Sequence, residues 1–314
     1  MSDRLVYLNG KFVAEREANV SIFDSALMFG DMAFEMTRTF NHQPFKLREH
    51  LERLYNSLRL LEIDCGISID EMEQLTLDVL ARNTPTEPED VDLQIMHDVS
   101  RGPLSVYGSV FPEGIQPTVV INCWPMITHT GGFAEKYETG VDLMIPAQQT
   151  IPAHIVDLKA KVRSRMHYRL AEFQGNRSGN RWPIMLDTDG FLAEGPGWNI
   201  FLVKDGILYT PEGRNVLLGV SRATVIELAV NLGVEVREVN LGRYEALMAD
   251  EMFTTSTPYC MVHVRSIEGQ DVGDGTAGPI FTEIINAWKE SVGVDFVAQA
   301  QTYAERLPQW NQQQ

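Results

Sequence analysis

The chain has 314 residues, 44% of them hydrophobic and 22% charged, and 26 basic against 43 acidic side chains leave a net charge of −17. At about 150 residues per domain the length suits two domains with a substantial core, and the composition is that of a soluble globular protein rather than a disordered, collagen-like or disulfide-stapled one. So acidic a surface repels phosphate backbones and anionic lipid, which argues against nucleic acid and membranes as partners.

Residues 4–13 (RLVYLNGKFV) read as two short strands around Asn9-Gly10, a hairpin dipeptide. A second strand-turn-strand unit follows at 33–47, with Asn41-His42-Gln43-Pro44 as its turn. Leu47, Leu51, Leu54, Leu58 and Leu61 then recur at three- and four-residue steps, the signature of an amphipathic helix. Gly66 interrupts the pattern, 69–82 is a further helix, and 91–99 and 117–123 read as strands. The stretch 124–140 carries Pro125, Gly131 and Gly132 without a clear period, and is expected to be a linker. It separates an N-terminal α/β domain (1–123) from a larger C-terminal domain (141–300), with 301–314 as a frayed tail.

Beyond the linker, a basic helix is expected at about 157–174, followed by the short strands WPIMLD, GFLAEG, NIFLVKDG and GILYTP. A helix at 221–232 ends at Gly233, a C-terminal cap. VEVREVN and EMFTTST read as strands, and a last helix falls at about 279–291. Helices and strands mix without regular alternation, so the fold class is α+β. Cys65, Cys123 and Cys260 form no CxxC spacing, which excludes a zinc pattern and suits a reducing cytosol. The first residues lack the basic-then-apolar layout of a signal peptide, and no apolar run is long enough to span a membrane.

Four segments of the second half carry chemistry. DLKAKVRSRMHYRLAEF holds Lys159 and Lys161 in a basic stretch. A lysine there is either part of a solvated face or an amine that condenses with an aldehyde, which neighbouring positive charge assists by lowering its pKa. In GFLAEGPGWNIF, Glu194 stands beside Gly195 and Gly197, so it is either a turn residue or a carboxylate that something approaches closely. NVLLGVSRATVIELA leads from a loop into a helix at Val220 and Ser221, where amides and dipole favour an anion and where Ser221 could equally serve as an ordinary N-cap. MFTTSTP ends a strand at Ser256 and Thr257, hydroxyls suited to completing a phosphate cup or to a plain turn exit. Amine, carboxylate and two anion-binding elements together are the set that pyridoxal 5′-phosphate requires.

The segments FDSALMFGDMAFEMTRTFNHQPFKLREHLERLYNSL, KVRSR, LAEGPGWNIFLVKDGILYTP, LLGVSRATVIELA and DEMFTTST resemble, in order, those of the class IV (fold-type IV) aminotransferases, over roughly residues 5–265. The resemblance implies a two-domain α+β fold like that of the D-amino acid aminotransferases, pyridoxal 5′-phosphate as cofactor, and a cytoplasmic homodimer acting on a small amino donor and a 2-oxo acid acceptor. By position it assigns the cofactor lysine to Lys161, the partner of the pyridine nitrogen to Glu194, and phosphate contacts to Arg53, Val220, Ser221 and Thr257. For the substrate it points to Phe34, Arg38, Arg101 and Trp198. Arg38 or Arg101 would bind a carboxylate or lie on the surface; Trp198 would narrow a pocket or pack.

Branched-chain aminotransferases are the nearest type, although Met36 stands where they carry glycine and Ser164 where many members have asparagine. A D-amino acid or (R)-amine transaminase, an aminodeoxychorismate lyase-type enzyme (suggested by Arg165) and a non-catalytic cofactor-binding protein remain as alternatives.

Overall fold

A computed structural model describes residues 4–313. The chain divides into two compact units. One runs through Thr128 and takes in Ala160–Ser164 and the end of the chain from Pro308; the other comprises His129–Lys159 and Arg165–Leu307.

The first unit contains strands β1 (Leu5–Leu8) and β2 (Lys11–Ala14), helix α1 (Ser25–Phe29), strands β3 (Met32–Phe40) and β4 (Gln43–Pro44), helices α2 (Leu47–Leu60) and α3 (Ile69–Asn83), and strands β5 (Leu93–Ser100) and β6 (Thr118–Pro125). The strands form one antiparallel sheet in the order β2-β1-β6-β5-β3-β4. Its hairpin turns use Asn9-Gly10 and Asn41-His42, all four residues at positive φ, as two-residue turns matching the strand twist demand. Alternation sends Ala33 of β3, Leu93, Ile95 and Val99 of β5, and Val119, Ile121 and Cys123 of β6 to one face. There they pack on the α2 leucines 47, 51, 54 and 58 and on Met72 and Val79 of α3. Glu35 and His97, directly opposite one another on β3 and β5, point to this same face and are fully buried.

Helix α4 (Ile127–Gly131) and helix α5 (Ala134–Thr139) occupy most of the expected linker, which is therefore not an irregular connection. Ile127 and Thr130 are fully buried, and Tyr137 donates its hydroxyl to the carbonyl of Tyr259 at 2.7 Å. Gly131 packs closely on the backbone of Tyr303, where a Cβ would lie 3.0 Å from the Tyr303 carbonyl carbon. Long-range packing, invisible to a glycine count, orders this segment.

The second unit continues with β7 (Val141–Met144), α6 (Met166–Arg177), β8 (Trp182–Pro183), β9 (Asn199–Lys204), β10 (Ile207–Pro211), α7 (Val220–Asn231), β11 (Val236–Val239), α8 (Arg243–Leu247), β12 (Glu251–Ser256), β13 (Cys260–Ile267), β14 (Gln270–Asp271), α9 (Pro279–Val292) and α10 (Phe296–Gln313), whose last turns pass beyond Leu307. Its mixed sheet has the order β11-β10-β9-β12-β13-β7-β8, with β14 on β13. Helix α7 ends at Gly233 in a left-handed cap: Gly233 N–H donates to the Val230 carbonyl and Val234 N–H to that of Ala229.

Two further expectations are corrected. The helix expected from 157 begins only at Met166, because residues 161–163 add to the edge of β3: Phe34 N–H donates to the Lys161 carbonyl (3.0 Å) and Arg163 N–H to that of Met32 (2.9 Å). The expected tail at 301–314 is helical as far as Gln313, since Phe296, Ala300 and Tyr303 fall on one buried stripe; residue 314 lies outside the described residues. Among the described residues no helix is long and apolar enough to cross a membrane.

Candidate active site

In the first unit, Lys161 and Arg53 come together around α2 and β3. The bridge between Ala33 and Val162 sets Lys161 opposite Phe34, so the two side chains share a face, and the Lys161 Nζ lies 4.6 Å from the Phe34 ring centroid. The Lys161 N–H donates to Ser57 Oγ (3.0 Å), and that hydroxyl donates in turn to the Arg53 carbonyl (2.8 Å). One serine thus ties the lysine's main chain to the arginine's turn of helix. Lys159, by contrast, is exposed and 3.6 Å from Asp157.

Arg53 forks onto Glu35, with Nε 2.8 Å from Oε2 and Nη2 2.7 Å from Oε1. His50, one turn earlier on α2, sits with Nδ1 3.1 Å from the same Oε1. Burial pushes the Glu35 carboxyl up, but the charge of Arg53 and the hydrogen bonds of Arg53 and His50 outweigh it and hold the group well below the usual carboxylate range. Burial also pushes His50 down, so it is neutral at neutral pH and its Nδ1–H is the donor to the ionised carboxylate.

The expected substrate residues fare differently. Phe34 lies under both Lys161 and Arg163, whose guanidinium carbon is 4.0 Å from the ring centroid and which pairs with Asp98 at 2.8 Å. Arg38 is buried, with its guanidinium 4.1 Å from the Phe40 ring centroid. Arg101 bridges Asp31 (2.9 Å) and the carbonyls of Leu61 and Glu62 (2.7 Å each), closing the C-terminal end of α2. Trp198 belongs to the core of the second unit; its indole covers Gly195 so closely that a Cβ there would meet it at 2.0 Å. Within this unit its ring packs on Gly195 and the surrounding core. His263 is likewise a packed residue, edge-on to Phe281 at 5.8 Å.

In the second unit Glu194 is buried, and neutral donors are among its partners. The Tyr168 hydroxyl lies 2.6 Å from Oε1, and Asn199 Nδ2 (3.1 Å) and the Leu217 N–H (2.9 Å) meet Oε2. Burial and the adjacent carboxylate push the Tyr168 phenol well above its usual range, so it stays a donor. Asn199 also donates to the Leu217 carbonyl (3.0 Å), and a Cβ on Gly219 would strike the Asn199 Oδ1 at 2.3 Å. Gly219 is the N-cap of α7 and brings no side chain to cap its first turn, which Val220 and Ser221 begin. The β9–β12 pairing sets Thr255 opposite Asn199, and Thr257 follows in the next turn. Glu194, the start of α7 and the end of β12 thus form one cluster through Asn199.

These donors fit pyridoxal 5′-phosphate. A buried carboxylate oriented by neutral donors matches a protonated ring nitrogen, and an uncapped 12-residue helix start beside glycine matches a phosphate. Glu35, His50, Ser57, Tyr168 and Asn199 were not singled out from the sequence. The one available signal was Glu35 itself, a charge set among the apolar residues that open β3, Met32, Ala33, Phe34 and Met36.

Residues 32–267 match the amino-transferase class IV family, and the chain belongs to it. The branched-chain-amino-acid aminotransferase of Escherichia coli (strain K12) is 32% identical over 289 residues, covering 90% of this chain and 91% of that one. A crystal structure of the Escherichia coli enzyme superposes with a TM-score of 0.83 at 31% identity, covering 92% of this chain and 94% of the other. The T.th. branched-chain amino acid aminotransferase with pyridoxamine 5′-phosphate gives 0.81 at 29% identity, covering 94% and 96%. The fold is that of fold type IV, and the protein is a pyridoxal-phosphate-dependent aminotransferase.

Proposed function

We propose that this aminotransferase holds pyridoxal 5′-phosphate with Lys161, Arg53, Glu194, Val220, Ser221 and Thr257, and moves the amino group of a branched-chain-type amino acid to a 2-oxo acid. The observation that carries the reading is the environment of Lys161: its main chain is tied through Ser57 to Arg53, and its amine stands over Phe34. On the same face of the sheet Met36 and Met96 are paired and half-buried, an apolar surface suited to an aliphatic side chain. The names and similarity of the relatives point the same way.

When bound, the cofactor supplies an aldehyde for the amine and an electron-withdrawing ring. Lys161 Nζ, in its neutral form, takes and returns the proton of the substrate α-carbon. Glu194 keeps a proton on the ring nitrogen, while Tyr168 and Asn199 hold that carboxylate in orientation. Arg53, the amide of Val220 and the hydroxyls of Ser221 and Thr257 bind the phosphate. The exposed apolar side chains Ile22, Leu27, Phe29, Val106 and Val110, on segments joined by the Ser25–Gly102 and Leu104–Phe23 hydrogen bonds, support a homodimer. Three buried free cysteines support a cytoplasmic setting.

Borohydride reduction of the yellow holoenzyme followed by peptide mass spectrometry is expected to find the cofactor on Lys161; a label on Lys159 refutes the assignment. L-Leucine, L-isoleucine and L-valine with 2-oxoglutarate are expected to be the best substrates in a screen of both enantiomers and simple chiral amines. Turnover of D-amino acids or (R)-amines alone, or pyruvate release from aminodeoxychorismate without an acceptor, would overturn the substrate reading.

A further inference from the structure

We propose that Glu35 is a positioning residue for Arg53: backed by His50, it fixes the guanidinium in one plane and thereby sets how tightly the chain holds the phosphate of its cofactor. The proposal rests on the reading of Arg53 given above and adds the residues behind it.

Glu35 lies on the face of β3 that packs on the leucine stripe of α2, and its side chain has no exposure. A carboxylate is costly to bury at such a place, and an apolar residue would pack there without that cost. What the charge provides is geometry. Nε and Nη2 form one edge of the guanidinium, and pairing that edge with both carboxylate oxygens, at 2.8 and 2.7 Å, holds the plane and arrests rotation about the last side-chain bonds.

Glu35 is itself held. Oε1 also receives His50 Nδ1 (3.1 Å) and the N–H of Met36 (2.8 Å), and the Arg53 main chain is held by Ser57. The Arg53 side chain is 11% exposed against none for Glu35 and 1% for His50, so Arg53 is the member of this trio whose side chain reaches the surface. A guanidinium oriented in advance loses less freedom when it takes up a phosphate. Glu35 and His50 touch neither substrate nor cofactor in this account; they act through Arg53.

The test compares two ligands that differ only in the phosphate. Apoenzyme prepared from the purified holoenzyme is titrated with pyridoxal 5′-phosphate and with pyridoxal, following the visible absorbance. Glu35→Gln is expected to weaken pyridoxal 5′-phosphate by about 10- to 100-fold while changing pyridoxal by less than about twofold. In an Arg53→Ala background the same substitution is expected to add nothing.

Equal losses for both ligands, or additive losses in the double variant, would reduce Glu35 to a support of the fold and overturn the proposal. If Glu35→Gln does not fold, Glu35→Asp carries the test: it keeps the charge but shortens the reach, so the ratio of the two affinities should shift in the same direction and by less, and an unchanged ratio overturns the proposal. Failure of the underlying reading looks different. Arg53→Ala would then bind both ligands like the parent enzyme, and the role of Arg53 would fall together with that of Glu35.

Discussion

Two buried carboxylates, one in each unit, are held in opposite ways. Glu35 is closed by the guanidinium of Arg53 with the neutral imidazole of His50 behind it, and the donors to Glu194 include a phenol, a carboxamide and a main-chain N–H. Ionic partners cancel a charge and lock the partner's geometry; neutral donors orient a carboxylate without cancelling it. The first arrangement therefore serves its cation, Arg53, and the second serves the anion itself. The scaffolds differ accordingly. Glu35 stands on a nine-residue strand in full register with β5, whereas Glu194 stands on a chain joined by isolated bridges, at Leu186–Leu192 and Gly195–Trp198, where glycine permits close approach.

The sharpest test of this contrast is pH, because the first unit buries ionisable groups beside its carboxylate. His97, opposite Glu35, is bound through Nε2 to the Thr76 hydroxyl (2.8 Å), and burial pushes it down to about 4. The unfolded chain takes up this proton near 6.5 and the folded chain only near 4. Its stabilising contribution is thus complete above 6.5 and lost as the pH falls toward 4, by about 3 kcal/mol. Glu35, whose folded value lies well below 4.5, adds a loss of the same sign at lower pH. Urea unfolding across pH 4–7 should show the decline, and His97→Gln should flatten it; an unchanged slope in that variant would locate the titration elsewhere.

A smaller effect separates the neutral donors from the ionic ones. Tyr168→Phe removes one hydrogen bond to Glu194 and is expected to lower kcat about tenfold, while leaving the affinity for pyridoxal 5′-phosphate, proposed above to depend on Arg53, nearly unchanged. Steady-state kinetics beside a cofactor titration will separate the two quantities, and a parallel loss of both would erase the distinction between the two carboxylates. Smallest of all, Arg101→Ala breaks a partly exposed pair with Asp31 and should cost no more than about 1 kcal/mol of stability, with KM for the amino donor unaltered. A tenfold rise in KM would return Arg101 to the substrate.

Much of the local structure was legible because it depends on neighbours in the chain. Asn9-Gly10 accepts positive φ, the leucines of α2 repeat with the helix, and Gly233 caps α7, so each segment reads the same alone as in the folded protein. The failures lie where distant partners decide. Residues 157–165 have a helical composition, but the open edge of β3 offers Lys161 and Arg163 strand hydrogen bonds instead. Residues 127–139 read as irregular but are helical once Tyr303 and Tyr259 come against them, although the division between the units does fall in this stretch, and the glutamine-rich end looks frayed until Phe296, Ala300 and Tyr303 find the core.

The candidate site divides along the same line. Residue type and order alone determined the family, and they supplied the candidate groups proposed for its site: a lysine, a carboxylate, an arginine and a helix start following glycine. Tertiary structure decided which lysine meets Phe34 and Ser57, that Arg38 and Trp198 are buried in the units that contain them, and that Glu35 and His50 stand behind Arg53. A one-dimensional pattern records which groups are available. Orientation, burial and the choice between ionic and neutral partners arise only when strands and helices far apart in the chain bring those groups within about 3 Å of one another, where hydrogen-bond geometry acts.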